Sequence, residues 1–218
     1  SNIAIGTDAM KGGDFGSSNL NLIHNIAIGY NAMDATGALG AEHNTFIGTD
    51  SGGGTWTTAG CNYNVAIGGL TMSSALNGAD YNTCVGYLAG RNLTTGDYNI
   101  LIGKEAGAAM LHSNRNVAIG VEALETANSG ELYNVALGFN AMKTVNSAVA
   151  DYNVAIGFDA LKGHTSTGLG NVAIGKSAMS DTSNAADSCV VIGENAGDGA
   201  MTADADGTIA IGYQAGTA

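Results

Sequence analysis

Apolar and polar residues alternate in a short pattern that recurs along this whole chain. The five residues "NVAIG" occur at Asn64–Gly68, Asn116–Gly120, Asn153–Gly157 and Asn171–Gly175. Close variants complete a set of twelve, whose final glycines are 17 to 23 residues apart, most often 18. Such a repeat predicts a solenoid, in which each copy forms one coil stacked on the last. The glycines are Gly6, Gly29, Gly48, Gly68, Gly86, Gly103, Gly120, Gly138, Gly157, Gly175, Gly193 and Gly212.

The three residues before each glycine predict a short β-strand. Counting from the glycine, position −3 is always β-branched and position −1 is always Ile, Val or Leu. Position −2 is Ala in eight copies and Phe46, Cys84, Leu101 or Val191 in the others. Both faces of the strand are therefore apolar, as in a strand that is buried on both sides. We predict an all-β, parallel β-solenoid of about twelve coils, with 1–218 as a single repeat domain.

The alternation does not by itself say which face lies inside the coil. Our first interpretation places positions −3 and −1 in the coil's own core. The Ala-rich column at −2 is then an apolar strip that other copies of the chain must cover, which predicts a homotrimer. The alternative places the −2 column in the core of the coil. The Val and Ile columns at −3 and −1 are then the apolar surface that must be covered.

Asparagine occupies position −4 in ten copies, and planar side chains occupy position −5 in eight consecutive copies. Stacked coils would bring each row to the strand spacing of ~4.8 Å. We expect the asparagines to form a hydrogen-bonded ladder. These are Asn2, Asn25, Asn44, Asn64, Asn82, Asn99, Asn116, Asn134, Asn153 and Asn171.

The planar row at −5 has two interpretations. One is a stack that stiffens the coil, and the other is a platform for sugar rings. The row comprises His24, His43, Tyr63, Tyr81, Tyr98, Arg115, Tyr133 and Tyr152. Trp56, the single tryptophan, lies in the glycine-rich segment 52–60 and is expected to be exposed, as a further candidate ligand contact.

Composition excludes several function classes. The chain has 34 glycines, no proline, and a net charge of −12 from seven basic and nineteen acidic residues. A chain this acidic is not expected to bind nucleic acid or an anionic membrane. No apolar run is long enough for a membrane span. Cys61, Cys84 and Cys189 show no metal-binding or disulfide spacing and are expected to be packed free thiols.

No catalytic, metal or cofactor motif interrupts the repeat, and the chain is not expected to be an enzyme. Asp204 and Asp206 faintly suggest a calcium loop but lack the residues that complete one. The first copy begins directly behind Ser1, so we expect a fragment or a processed product.

The pattern in "NVAIGFDAL" (Asn153–Leu161) and "NIAIGYNAM" (Asn25–Met33) resembles two groups of repeats. These are the head repeats of trimeric autotransporter adhesins and, closer in period, the repeats of phage tail-fibre proteins. The resemblance implies a left-handed parallel β-roll or β-prism, homotrimeric, outside the cell or on a virion. It also implies attachment to a host-surface glycan or protein receptor.

Two alternatives stay open. One is an enzyme on a β-solenoid, such as a left-handed β-helix transferase, since the period and the "IGxxA" pattern also suggest that fold. The other is a self-assembling extracellular filament.

Overall fold

The computed structural model describes residues 1–12, 22–34, 36, 39–56, 59–127, 130–145, 150–163, 168–181, 185–199 and 201–217. Its dominant feature is a twelve-stranded parallel sheet in which each strand pairs with the strand of the next repeat. The twelve strands are β1 (Ile3–Ile5), β3 (Ile26–Ile28), β5 (Thr45–Ile47), β6 (Val65–Ile67), β7 (Thr83–Val85), β8 (Ile100–Ile102), β9 (Val117–Ile119), β10 (Val135–Leu137), β11 (Val154–Ile156), β12 (Val172–Ile174), β13 (Val190–Ile192) and β14 (Ile209–Ile211).

Two shorter strands, β2 (Leu22–Ile23) and β4 (Ala41–Glu42), form a separate parallel pair. The one helical element among the described residues is a single 3₁₀ turn, Ala203–Ala205. The chain is thus an all-β parallel β-solenoid with a period of about 18 residues, and the prediction of the fold class is confirmed at that level.

The pairing register is the same at every step. Position −2 of one copy faces position −2 of the next, as Ala118 faces Ala136 and Ala136 faces Ala155. Because the strand register is the same at every step, each position of the repeat forms a column of side chains along the solenoid.

The assignment of the two strand faces in our first interpretation was wrong. From Ala27 onward the side chains at −2 are buried inside the coil, with Ala118, Ala136 and Leu101 fully inaccessible, while Ala4 in the end strand β1 is exposed. The side chains at −3 and −1 point outward and stay partly exposed, as the burial pattern of β9 shows. The alternative interpretation of the strand faces is the correct one: the Ala column belongs to the core, and the Val and Ile columns face outward.

Position +4 explains why the −2 column is mostly alanine. Met72, Leu124, Met142 and Leu161 occupy this position and are fully buried, so they fill the space that a small residue at −2 leaves. In the four coils with a larger −2 residue, position +4 is glycine. The pairs are Phe46 with Gly52, Cys84 with Gly90, Leu101 with Gly107, and Val191 with Gly197.

The geometry of these pairs shows direct competition for one volume. A Cβ atom at Gly52 would lie 2.7 Å from Cδ1 of Phe46, and one at Gly107 would lie 2.9 Å from both terminal carbons of Leu101. The backbone at +4 is left-handed in every coil, as at Gly90 (φ 58°) and Leu124 (φ 52°). Glycine adopts that conformation without strain, so the exchange between Met or Leu and Gly needs no change in the backbone.

Volume compensation within a coil predicts the result of a double-mutant cycle. Ala155→Leu alone should cost about 1–3 kcal/mol through overpacking. Leu161→Gly alone should cost about 2–5 kcal/mol through a cavity. The double variant should be at least about 1 kcal/mol more stable than the sum of the two single costs implies, because it reproduces the pairing of Leu101 with Gly107.

Free energies of unfolding from denaturant titration of the four proteins measure this coupling. Additive costs would show that the two side chains do not share one space.

Candidate functional site

The columns at −3 and −1 form an exposed apolar face along the sheet. Side chains in the middle of the solenoid, away from its ends, are still accessible: Ile67 is 38% exposed, Ile100 40% and Leu137 41%. No charged residue occupies either column. The face therefore presents two continuous rows of β-branched and leucine side chains to solvent.

Aromatic side chains extend this face at position +1, directly after the glycine. They are all exposed, and two from neighbouring coils, Phe139 and Phe158, stack with ring centroids 5.1 Å apart. The aromatic members of this column are Tyr30, Tyr87, Phe139, Phe158 and Tyr213. Charged residues share the column: Lys176 donates a hydrogen bond to Glu194 at 2.8 Å. Position +1 is thus a mixed margin of the apolar face.

The planar row at −5 forms one continuous stack of eight side chains. Neighbouring tyrosines are nearly parallel, with 4.9 Å between the ring centroids of Tyr63 and Tyr81 and again of Tyr81 and Tyr98. The guanidinium of Arg115 continues the stack, 5.3 Å from the ring centre of Tyr98 and 5.5 Å from that of Tyr133. Such cation–π contacts let a charged residue replace a tyrosine without interrupting the row.

Stacking changes what this row offers to a ligand. The tyrosines are 42–60% exposed, but the ring faces are covered by their neighbours, so they present edges and hydroxyl groups. Tyr152 differs because the next coil has Gly170 at this position and no ring to cover it. It is also the most exposed tyrosine of the stack. One open ring face therefore lies at the Tyr152 end.

Trp56 is not on this surface, and its expected exposure was wrong. Its side chain is 3% exposed, its indole N–H donates to the carbonyl of Gly52 at 3.2 Å, and its ring packs edge-on against Phe46. It fills the core beside the bulky Phe46, so it is not available to a ligand.

The asparagine row forms a buried ladder behind the exposed face. In Asn99, for example, the backbone N–H and the side-chain NH₂ donate to Oδ1 of Asn82 at 2.9 and 3.0 Å, and the NH₂ also donates to the carbonyl of Ser113 at 2.8 Å. The backbone bonds run without a gap from Asn2 to Cys189. From Asn25 to Asn171 the side chains are buried and their amides are occupied, so these asparagines hold the coils together and do not face solvent. Asn2, in the first coil, is partly exposed.

A second ladder at position −6 was missed in the sequence. The backbone N–H of Asn62 donates to Oδ1 of Asp80, that of Asp80 to Asp97, and that of Asp97 to Asn114, at 2.6–2.8 Å. Burial raises the pKa of Asp80, and the hydrogen bonds from Asn62 oppose that rise. The recurrence of Asp or Asn before the tyrosine, as in "ADYN" and "GDYN", was the available signal.

Asp206 belongs to the same ladder, since its Oδ1 accepts from the backbone N–H of Asp187 at 2.8 Å. Its carboxylate therefore has a structural partner. Within the described ranges, no group of three or more His, Cys, Asp or Glu side chains is placed to hold a metal ion.

The three cysteines are not placed as exposed thiols. Cys61, Cys84 and Cys189 are buried free thiols, as predicted, and burial raises the pKa of Cys61 and of Cys84 to about 12. At the turn after the strands, Lys143 bonds to the carboxylates of Glu122 and Glu125. The hydrogen bond from Lys143 lowers the pKa of Glu122, so this contact favours the folded state above the ordinary glutamate range and is lost on acidification.

No protein-family model, no curated protein and no solved structure matches this chain. Over the part of the chain that the structure describes, no helix is long and apolar enough to cross a membrane.

Two adjacent residues give a test of the face assignment. Ala118→Asp places a charge in the sealed core and should cost several kcal/mol or prevent folding. Ile119→Asp places the same charge on the outer face and should cost the chain no more than about 1–2 kcal/mol of its own stability. Circular dichroism and denaturant titration measure both. An equal loss of unfolding free energy in the two variants would contradict the outward orientation of position −1.

Proposed function

We propose that this chain is a structural and binding segment of an extracellular or virion fibre, a tail fibre or adhesin. Its twelve coils form a rigid rod, three copies associate through their apolar faces, and the assembly attaches to a cell surface. The observation that carries this proposal is the unbroken apolar face on an otherwise polar, acidic chain. The likeness of the repeat to fibre and adhesin repeats supports the same conclusion.

The size of the face argues for a second copy as its occupant. Twelve rungs at ~4.8 Å give a strip of roughly 50–55 Å. Three strand residues at ~3.3 Å make it about 10 Å wide, which gives roughly 500 Å². That is near the upper end of the ~300–600 Å² of the largest apolar patch on a typical monomer, and patches of that size are often functional. Other copies of the chain carry a strip of the same length and the same rung spacing.

The arrangement of the columns favours three parallel copies. A rotation axis along the rod places identical rungs at one level, so column −1 of one copy can meet column −3 of its neighbour at the same height. Each strand offers two outward columns, one for each neighbour in a trimer. The columns at −5 and +1 then form the rim, which is the part of an interface where polar and charged groups are tolerated. The left-handed sense of the coil stays a prediction.

Attachment is assigned to the solvent-accessible rim of this interface, at the planar row. At the open face of Tyr152, a sugar ring could lie flat against the last phenol ring of the stack. The stacked tyrosines add a row of hydroxyl groups beside it. A glycan is therefore the ligand class that this surface suits best, with a protein receptor as the other candidate.

The trimer is tested by the mass of the purified protein. Light scattering at micromolar concentration should give about 65 kDa, three times the 21.7 kDa of the chain. Ile156→Asp should shift this mass toward that of the monomer while the circular dichroism spectrum is kept, because the charge would have to be buried between copies. Lys143→Ala, outside the face, is the matched control and should stay trimeric. A monomeric parent with its fold intact would contradict the trimer.

The same preparations test attachment. Labelled parent protein should bind members of a glycan array, and Tyr152→Ala should weaken that binding more than Lys143→Ala does. Binding to cell envelopes that survives periodate oxidation of the glycans would point to a protein receptor instead. A trimer that binds neither glycans nor envelopes would leave no support for attachment.

A further inference from the structure

The two histidines at the start of the planar stack break its parallel geometry. Neighbouring tyrosine rings in the row are inclined by 2–5°, and His43 lies on Tyr63 at 6° with a centroid distance of 5.0 Å. The rings of His24 and His43 are inclined by 44°. This tilt brings Nδ1 of His24 to 3.4 Å from Nε2 of His43. Two ring nitrogens from adjacent coils therefore converge on the surface.

We propose that His24 and His43 together bind one divalent transition-metal ion of the zinc type. Imidazole nitrogens lie ~2.0–2.1 Å from zinc, so two of them at tetrahedral positions are about 3.3–3.4 Å apart. The separation in this pair already has that value. A square-planar ion would need the nitrogens about 0.5 Å closer, so the geometry favours the tetrahedral preference of Zn²⁺ or Co²⁺ over that of Cu²⁺.

The fold holds both ligands in place before any ion arrives. His24 and His43 have left-handed backbones (φ 57° and 58°), like the tyrosines of the row. Their backbone N–H groups donate to the carbonyls of Ser1 and Ile23 at 2.8 and 3.1 Å, which fixes the distance between the two coils. Stacking on Tyr63 orients the ring of His43. Both side chains are exposed, so an ion reaches them directly from solvent.

Without an ion, the same nitrogens form a hydrogen bond in which one imidazole donates and the other accepts. Binding a cation requires a lone pair on both, so the donor ring moves its proton to its other nitrogen. No net proton is released from a neutral pair. The two imidazoles fill two coordination positions, and solvent fills the others.

The position of the site gives it a structural effect. An ion bridging His24 and His43 cross-links two successive coils and binds the folded chain more tightly than the unfolded one. The melting temperature should therefore rise with ion concentration. This site does not depend on the trimer or on attachment.

Calorimetric titration of tag-free protein with zinc chloride, in a buffer that does not chelate metals, tests the proposal. The expected result is one ion per chain and a higher melting temperature. His24→Tyr and His43→Tyr each keep a planar ring in the stack, as the following coils do, and remove one ligand. Each should abolish binding and the thermal shift. With Co²⁺ as the probe, the parent should show the intense visible absorption of a tetrahedral site, and the variants should not.

His112→Ala is the matched control. Its imidazole lies on another part of the solenoid, beside the hydroxyl of Thr95 at 2.7 Å, and its loss should leave binding unchanged. His164→Ala controls for the fourth histidine, which lies outside the described residues. A parent that binds no zinc, or variants that bind it as well as the parent, would overturn the assignment to His24 and His43.

Discussion

The approach of each repeat glycine to the glycine of the next coil is the constraint on which the rest of the structure depends. From Gly6 to Gly193, a Cβ atom at this position would lie 2.2–2.6 Å from the carbonyl oxygen of the next repeat glycine. The glycine φ is +127° to +145°, outside the range that other residues normally adopt. Any side chain here would push two coils apart or distort the backbone.

This contact sets one register for everything around it. The backbone N–H of each repeat glycine donates to a carbonyl of the previous coil, that of the residue just before its repeat glycine. Gly138, for example, donates to the carbonyl of Ile119 at 2.8 Å. With the rungs level, asparagines meet asparagines and tyrosines meet tyrosines. The same register seals the Ala column inside and aligns the Val and Ile columns outside. The stable core and the apolar face are therefore two results of one repeat.

Much of this could be read from the sequence, because a repeat places equivalent residues at equivalent points. The strands, their parallel order, the asparagine ladder and the stacked planar row all follow from the period and from strand geometry. The side of the strand that faces inward did not follow, since alternation groups residues by face without saying which face is buried. The pairing of Phe46 with Gly52 and of Leu101 with Gly107 was the signal in the sequence that could have identified the inward face.

Two other features depended on information beyond the repeat. Trp56 lies in a segment rich in glycine and threonine, where composition suggests a surface loop, but its indole is buried and packs edge-on against Phe46. The tilt between His24 and His43 depends on which planar side chains are neighbours, and a list of column members does not give it. The side-chain positions that were hardest to predict thus belong to residues that differ from the usual residue of the repeat.

The glycine contact can be tested with one substitution at two nearby glycines. Gly170 has φ +66°, and a Cβ atom there would lie 3.9 Å from Oγ of Ser188, which is ordinary van der Waals contact. Gly175 has φ +133°, and a Cβ atom there would lie 2.5 Å from the carbonyl oxygen of Gly193. Thermal and denaturant unfolding of Gly170→Ala should show a loss of about 1–2 kcal/mol, the cost of a left-handed alanine. Gly175→Ala should lose several kcal/mol or fail to fold. Equal stability of the two variants would contradict the account.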